Sequence, residues 1–207
     1  MKGLFITFEG PDGSGKTTQI KLLREHLSQR GYEAVLTREP GGTEIGEKIR
    51  DIILDKRHIK MDYITEALLY AASRAQHVSE LIMPNLLKGT TVICDRFVDS
   101  SIVYQGYGRG LGDCVKIIND IAIRGCMPDA TFFLKVDPSN LTDRRSVGEM
   151  DRLELEKLDY HQAVYRAYLI LEKQYPDRII GIDATRSISE ISRDILARID
   201  HLIDMNA

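Results

Sequence analysis

Short apolar runs alternate along the chain with longer stretches of amphipathic pattern. The apolar runs predict five strands, at 3–9, 33–37, 91–94, 130–136 and 178–182. Apolar positions at helical spacing predict helices at 16–30, 43–54, 62–87, 159–175 and 188–203. Because strands and helices alternate, we expect an α/β fold in which a parallel five-stranded sheet is flanked by helices on both faces.

Two of these helices carry more specific expectations. The second should turn four isoleucines inward, namely Ile45, Ile49, Ile52 and Ile53. Pro84 lies inside the long third pattern. We expect it to kink or break that helix, because its ring clashes with the preceding turn and it lacks a backbone N–H.

Polar residues follow four of the predicted strands directly. Glu9, Arg38, Asp95 and Asp137 each come at the carboxyl end of an apolar run. In an open parallel sheet, ligands bind at the edge where the carboxyl ends of the strands meet. The hydrophobic pattern alone therefore predicts that these four residues lie at one edge of the sheet, where they are candidates for a site.

Length and composition suit one globular domain spanning 1–207. The 207 residues are 29% charged and 43% hydrophobic, and no repeat or linker divides them. The net charge of −3 lacks the basic excess of proteins that coat nucleic acid. No apolar stretch approaches the roughly 20 residues that span a bilayer, and no secretory signal is evident. We expect a cytoplasmic protein with neither nucleic acid nor membrane as partner.

The three cysteines, Cys94, Cys114 and Cys126, show no metal-ligand spacing. A structural zinc site needs four clustered ligands. We therefore expect reduced thiols in a reducing compartment, with no zinc.

A glycine-rich loop is the strongest chemical signal in the chain. It comprises Gly10, Pro11, Asp12, Gly13, Ser14, Gly15, Lys16 and Thr17, which fit the pattern G-x-x-x-x-G-K-[ST]. The loop follows a predicted strand and opens a predicted helix, so its backbone N–H groups can surround phosphate oxygens. Lys16 would reach the β- and γ-phosphates of a nucleoside triphosphate, and the Thr17 hydroxyl would bind Mg²⁺.

The loop does not by itself separate kinases from switches and motors. Guanine-specific switches usually carry N-K-x-D, and no Asn in this chain is followed by Lys. A nucleic-acid motor is normally longer and more basic. A small kinase fits best.

Arginines near the predicted strand ends suggest a second phosphate. Arg38 follows the second strand, and Asp95 and Arg96 follow the third. Asp95 can help hold Mg²⁺, while arginine forks onto phosphate. Further along, Arg144, Arg145 and Arg152 flank a stretch that we interpret as a lid at about 143–152.

Several segments together make the chain resemble the thymidylate kinases. They read FEGPDGSGKTT (8–18), TREPGGT (37–43), YAASR (70–74), DRFVDSS (95–101) and YQGYGRG (104–110). The similarity runs from the first strand to the last helix. It implies a P-loop NTPase fold and transfer of the γ-phosphoryl group of MgATP to thymidine monophosphate (dTMP), giving dTDP on the route to dTTP. It also implies a homodimer formed through helix packing.

The resemblance implies roles for individual residues. The loop, with Thr18, Arg144, Arg145 and Arg152, would bind ATP. The acceptor-side residues would be Asp12, Arg38, Pro40, Arg50, Tyr70, Arg74, Arg96, Ser100, Ser101, Tyr104 and Gln105. Metal binding would involve Thr17, Asp95 and Asp12. Catalysis would depend on Lys16, Arg96, Asp12 and an arginine of the lid, Arg145 or Arg144.

Base recognition is divided among five of these residues by the same resemblance. Tyr70 would stack on thymine, and Arg74 would donate to its O4 atom. Ser101 and Gln105 would contact the base edge. Tyr104 would lie beside the sugar and disfavour a 2′-hydroxyl. Without the resemblance, a core tyrosine and helix-capping polar residues would be equally ordinary interpretations of several of them.

One position divides the family. Some thymidylate kinases have an arginine inside the phosphate loop where this chain has Gly13. Glycine-type members supply the arginine from the lid, and the spacing of Arg144 and Arg145 does not determine which one acts. Arg152 stays a candidate, and no motif marks the adenine contacts, which the family places near 183–186.

Two alternatives to thymidylate phosphorylation stay open. One is another monophosphate kinase that acts on dUMP, UMP or dCMP. The other is an ATP-binding switch or adaptor without a small-molecule acceptor.

Overall fold

Five parallel strands form the centre of the computed structural model, which describes residues 2–140, 152–153 and 155–206. The strands are β1 (Phe5–Glu9), β2 (Ala34–Arg38), β3 (Thr91–Asp95), β4 (Ala130–Lys135) and β5 (Ile179–Asp183). Their order across the sheet is β2-β3-β1-β4-β5, and every neighbouring pair is parallel. The predicted α/β class and five-stranded parallel sheet are confirmed.

Helices connect the strands and cover both faces of the sheet. They are α1 (Lys16–Gln29), α2 (Glu44–Leu54), α3 (Tyr63–His77), α4 (Met83–Leu87), α5 (Val98–Ser101), α6 (Asp113–Ile123), α7 (Leu158–Gln174) and α8 (Ile188–Asn206). Within the described ranges, none of them is long and apolar enough to cross a membrane.

The hydrophobic pattern located most of these elements within three residues of their ends. Two α-helices were not predicted by this pattern. The first is α5, which continues into a π-helical turn at Ile102–Gly108. The second is α6, where Ile117 and Ile121 are exposed although Val115 and Ile123 are buried. Apolar side chains on both sides of α6 weaken the one-sided pattern from which an amphipathic helix is predicted.

The long third pattern is one helical path with an irregular centre. A π-helical turn, Val78–Ile82, joins α3 to α4, and Pro84 lies in the first turn of α4. Proline is tolerated there because the N–H groups of a first turn need no partner within the helix. The irregularity expected at Pro84 thus takes the form of a π-helical turn just before it.

The expectation for α2 is wrong in part. Ile53 is fully buried, but Ile45 and Ile52 are 51% and 44% exposed. Gly46 lies on the buried side instead. An apolar stripe marks one face of a helix without stating what covers that face, and here only part of it meets the protein's own core.

Alternation along β1 separates two layers of core. Ile6 and Phe8 join the cluster formed with α1 and α8, which includes Leu23 and Ile195. Phe5 points to the opposite face and joins the cluster with α4 and the π-helical turn Val78–Ile82. Successive side chains of a strand face opposite sides, so a central strand buried on both faces is apolar at nearly every position. This rigid centre carries the loops at the carboxyl ends of the strands.

Candidate active site

The glycine-rich loop joins the end of β1 to the start of α1. Gly10 and Gly13 have φ angles of 137° and 82°, in the region that favours glycine. A Cβ atom added at Gly10 would lie 2.7 Å from the carbonyl oxygen of Leu134 on the neighbouring strand. The glycines therefore let the chain turn tightly against the sheet and start a helix, as a phosphate loop requires.

Lys16 closes over this loop from the first turn of α1. Its Nζ atom donates to the carbonyl oxygens of Gly10 and Pro11 at 3.1 and 3.2 Å and to Asp12 Oδ1 at 3.3 Å. The side chain is only 6% exposed, and burial lowers the pKa of the ammonium group. Thr17, next along the helix, is exposed. The loop thus combines a buried cation with a hydroxyl that a ligand can reach.

Arg96 and Asp12 form the link between the loop and the end of β3. Arg96 Nη2 donates to Asp12 Oδ1 at 2.9 Å, and the guanidinium lies over the ring of Tyr104, 5.4 Å from its centroid. The charge of Arg96, followed by that of Lys16, holds the pKa of Asp12 well below its usual value although burial acts the other way. One carboxylate therefore serves two cations.

Glu9 lies next to Arg96, with 4.0 Å between Glu9 Oε2 and Arg96 Nη1, although sequence reasoning assigned it no specific role. It is fully buried, and its carboxylate accepts from the backbone N–H of Phe97 at 2.8 Å and from Ser100 Oγ at 2.6 Å. The hydroxyl of Tyr168 donates to it at 2.6 Å. Burial raises the pKa of Glu9. Tyr168 is 159 residues away in the chain, so no local pattern could have paired the two.

Asp95, at the end of β3, has an oxygen that suits a cation. Its Oδ1 atom is buried, and no side chain or backbone group of the described residues hydrogen-bonds to it. A buried unpaired carboxylate oxygen is costly in a folded protein, so it commonly marks an absent ion or water. No three His, Cys, Asp or Glu side chains in the described part of the chain cluster as a metal cage. The geometry suits a metal held jointly by protein and ligand.

Arg38 and Arg50 meet at the turn after β2. Their Nη1 atoms both donate to the carbonyl oxygen of Pro40, each at 2.9 Å. Arg38 also makes two hydrogen bonds to Glu47 of α2, at 3.0 and 2.9 Å. Two guanidinium groups on one carbonyl oxygen create a concentrated positive patch, which the Glu47 carboxylate partly balances.

Arg74 is almost entirely buried, at 1% exposure. Its Nε atom donates to Glu39 at 2.7 Å, Nη1 donates to Ser101 and Asn119, and Nη2 donates to the carbonyl oxygen of Phe97 at 3.0 Å. Four of its five N–H groups therefore have partners among the described residues. The fixed guanidinium leaves one N–H of Nη2 for a ligand.

These side chains line one cavity of about 260 Å³ beside the phosphate loop. Every acceptor-side residue predicted from the sequence lies on its wall: Asp12, Arg38, Pro40, Arg50, Tyr70, Arg74, Arg96, Ser100, Ser101, Tyr104 and Gln105. Asp95 lines it as well. Sequence reasoning missed several other wall residues, including Glu39, Leu54, His161, Tyr165 and Tyr168.

The predicted lid is placed only in part. Arg144 and Arg145 lie outside the residues that the structure describes, so their role stays a prediction. Arg152 is described and is 8% exposed. It donates to the carbonyl oxygen of Ile53 at 2.9 Å and pairs with Glu66 at 2.7 Å. The structure therefore places Arg152 against α2 and α3 and does not bring it to the phosphate loop.

The loop after β5, which the family resemblance associates with adenine, is a compact turn. Asp183 Oδ1 accepts from the backbone N–H of Thr185 at 3.0 Å and from its hydroxyl at 2.7 Å. Gln19 of α1 donates to the carbonyl oxygen of Ile188 at 3.1 Å, which ties the phosphate-binding helix to the start of α8.

The family model, the two relatives and the solved structure compared with this chain are all described as thymidylate kinases. A sequence model of the thymidylate kinase family matches residues 8–195. The thymidylate kinase of Thermoanaerobacter sp. (strain X514) is 50% identical over 197 residues, which cover 95% of this chain and 97% of that protein. The thymidylate kinase of Bacillus pumilus (strain SAFR-032) is 46% identical over 210 residues, covering 100% and 99%.

A solved structure agrees with these relatives. The crystal structure of thymidylate kinase from Ehrlichia chaffeensis superimposes with a TM-score of 0.78 at 34% sequence identity. The match covers 96% of this chain and 99% of that one. The likeness therefore extends over the whole fold, including the loop and the cavity.

Proposed function

Because the chain belongs to the thymidylate kinase family, we propose that its phosphate loop holds ATP and that the adjoining cavity holds dTMP. The chain transfers a phosphoryl group from ATP to dTMP, giving dTDP. One observation carries the placement of the substrates: the residues that the family resemblance assigns to the acceptor all line one cavity, and Pro11 and Asp12 of the loop form part of its wall.

The donor side consists of the loop and the start of α1. The backbone N–H groups of the loop residues other than Pro11, together with the helix N-terminus, would bind the triphosphate. Lys16 would neutralise its β- and γ-phosphates, exchanging loop carbonyl oxygens for phosphate oxygens. Thr17 and Thr18, both exposed at the helix start, would add hydroxyl contacts.

The acceptor-side residues divide into a group for the phosphate and a group for the base. Arg38, Arg50 and Arg96 line the cavity and would bind the 5′-phosphate. Tyr70 supplies an aromatic face and Arg74 a fixed donor for the base. Ring stacking and a directed hydrogen bond together orient a pyrimidine, which phosphate contacts alone would leave free to rotate.

Residues of the phosphate loop and of the cavity wall together suit Mg²⁺. The unpaired Asp95 Oδ1 atom and the hydroxyl of Thr17 would hold it, with Asp12 nearby. Mg²⁺ commonly binds through one or two carboxylates together with substrate phosphates, so a full protein cage is not needed. The ion would neutralise phosphate charge.

The reaction itself needs little chemistry from side chains. The attacking phosphate oxygen is already anionic near neutral pH, so no general base is required. The obstacle is repulsion between two polyanions, since two unit charges about 4 Å apart repel by about 4 kcal/mol at an effective dielectric of about 20. Lys16, Arg96 and Arg38 are positioned to neutralise these charges while holding donor and acceptor in line.

A substrate panel tests this function. ADP release is measured with ATP and one monophosphate at a time: dTMP, dUMP, UMP or dCMP. We expect dTMP to give the highest kcat/KM and the reaction without any monophosphate to be negligible. Hydrolysis of ATP that does not depend on a monophosphate would instead favour a switch or adaptor.

We also propose a homodimer formed through α3 and α6. Several apolar side chains there are exposed in the single chain, among them Leu68, Ile117 and Ile121 at 51%, 62% and 73%. A second copy would remove them from water, which favours association.

The cytosol is the proposed location. The described cysteines are free thiols, and Cys94 and Cys126 are buried, which suits a reducing compartment.

A further inference from the structure

Glu66 is a fully buried carboxylate at the centre of four hydrogen bonds. It lies on α3 at 0% exposure. One oxygen accepts from Gln105 Nε2 at 2.9 Å and from Arg109 Nε at 3.3 Å. The other accepts from Arg109 Nη2 at 3.2 Å and pairs with Arg152 Nη2 at 2.7 Å. Neither the loop nor the cavity wall includes Glu66, yet it holds a residue that does line the cavity.

Charge balance keeps this buried carboxylate ionised. Arg109 also pairs with Glu156 at 2.6 Å, so two carboxylates face the two guanidinium groups of Arg109 and Arg152. Burial favours the neutral acid, but hydrogen bonds from Gln105 and Arg109 together with the charge of Arg109 hold the pKa of Glu66 below its usual value. At neutral pH Glu66 is therefore an acceptor only.

Arg109 is itself held rigidly. Its guanidinium lies between two aromatic rings, 4.6 Å from the centroid of Tyr63 and 4.8 Å from that of Tyr160. These two cation–π contacts restrict the orientation of the guanidinium group. The carboxylate of Glu66 is consequently held in one orientation.

An acceptor-only neighbour determines which end of the Gln105 amide faces it. The NH₂ group must point toward Glu66, because a rotated amide would set its oxygen against a carboxylate. Gln105 lines the cavity. With Nε2 directed at Glu66, the acceptor that the Gln105 amide leaves for a ligand is Oε1.

We propose that Glu66 is a specificity-determining positioning residue, which fixes the Gln105 amide so that Oε1 accepts from the N3–H group of the substrate base. The inference rests on the proposed binding of dTMP in the cavity. Arg74 lines the same cavity and offers a donor for O4. Thymine and uracil present N3–H and O4, which match this pair. Cytosine presents an N3 acceptor and an amino donor, so both contacts would be mismatched.

Mismatched buried polar groups are a strong source of discrimination. A site built to hydrogen-bond one edge rejects an analogue that leaves its groups unpaired far better than an apolar pocket rejects an extra methyl group. If Glu66 is neutralised, the Gln105 amide can turn and present either atom. Selection against cytosine should then weaken, while the methyl group that separates thymine from uracil should be unaffected.

The variant Glu66→Gln tests this. Dissociation constants for dTMP, dUMP and dCMP are measured by calorimetry without ATP, and kcat/KM is measured for the same three. We expect affinity for dTMP and dUMP to fall together and the dTMP-to-dCMP affinity ratio to fall about tenfold, the size of one hydrogen bond. Glu156→Gln is the matched control, because it removes the other carboxylate from Arg109 without touching Gln105. It should keep the ratio.

A double variant covers the case in which the lone substitution fails to fold. Glu66→Gln with Gln105→Glu restores the buried negative charge and leaves an acceptor facing the base, so the wild-type ratio should return. A folded Glu66→Gln protein with an unchanged ratio, an equal loss for all three monophosphates, or a double variant that lacks the preference would each overturn the proposal. Wild-type protein that binds dTMP without phosphorylating it would contradict the function instead, since the affinity ratio is independent of turnover.

Discussion

Single charged residues at the mouth of the cavity hold one another in place before a phosphate binds. Asp12 lies between Lys16 and Arg96, and all three come from different positions on the loop and the end of β3. Arg96 has a φ angle of 68°, a backbone conformation uncommon for a residue with a side chain. Such residues cluster at functional sites, where surrounding contacts maintain them. Glu9 supplies those contacts here by holding the following segment.

Lys16→Ala should nearly abolish turnover while the protein stays folded. The ammonium group is the buried cation of the phosphate loop, and removing one preorganised electrostatic contact commonly costs about 10²–10³ in kcat. ADP release with saturating dTMP measures the loss, and thermal unfolding measures the fold. Lys21→Ala, an exposed lysine on the same helix, is the control and should be near wild type. Normal activity in Lys16→Ala would remove the loop from the mechanism.

Asp12→Asn should flatten the acid dependence of stability. Arg96 and Lys16 hold the folded pKa of Asp12 below its unfolded value of about 4. Ion pairs with a depressed carboxyl pKa stabilise the protein fully above the unfolded value, and the stabilisation is lost as pH falls through the folded value.

Urea unfolding of wild type and Asp12→Asn between about pH 3 and pH 7 measures this. The difference in unfolding free energy should be constant above about pH 5 and shrink below about pH 4. A difference that widens toward acid pH would show that Asp12 is not stabilised in its charged form.

At the scale of elements, helix ends set where the acceptor-binding arginines lie. Helix α2 begins at a cap in which Thr43 Oγ1 accepts from the backbone N–H of Gly46 at 3.0 Å. Arg50, two turns further on, reaches back to the Pro40 carbonyl oxygen. The Thr43 cap therefore fixes the start of α2, and Arg50 ties the middle of the helix to the turn after β2.

Thr43→Ala should lower the free energy of unfolding by about 0.5–2 kcal/mol, because a helix N-terminal N–H loses its acceptor. Thr65→Ala, which alters an exposed threonine in the first turn of α3, should change it by less than about 0.5 kcal/mol. Chemical denaturation compares the two. Equal effects would mean that the Thr43 hydroxyl does not cap α2.

At the scale of the whole molecule, several apolar side chains of the described residues are exposed to water in the single chain. The exposed isoleucines of α2 and the exposed apolar side chains of α3 and α6 belong to helices that pack on one another in the fold. A monomer in water gains nothing from this arrangement, whereas the proposed second copy would bury it.

Ile121→Asp should therefore convert the proposed dimer into a monomer. A charge buried in an apolar interface without a partner is strongly unfavourable. Leu87→Asp is the control, since Leu87 is 72% exposed and lies on neither α3 nor α6. Sedimentation velocity at several concentrations distinguishes the two masses. A wild-type protein that sediments as a monomer throughout would contradict the dimer.

The sequence alone determined the features that depend on local order. Short apolar runs located the five strands, because a strand buried on both faces is apolar at nearly every position. Apolar positions at helical spacing located most helices, because one face of each helix is buried. The loop around Lys16 was identifiable because its glycines and lysine must be consecutive. The resemblance to one family named the acceptor residues, and these converge on one cavity because strand ends share one edge of the sheet.

Only the tertiary structure decided which distant residues support that site. The contact of Glu9 with Tyr168, the burial of Arg74 among four partners, and the position of Glu66 beneath Gln105 join segments that are far apart in the chain. A charged side chain looks the same in a sequence whether it is solvated or buried. Its partners, and hence its pKa and orientation, exist only once helices have packed on the sheet.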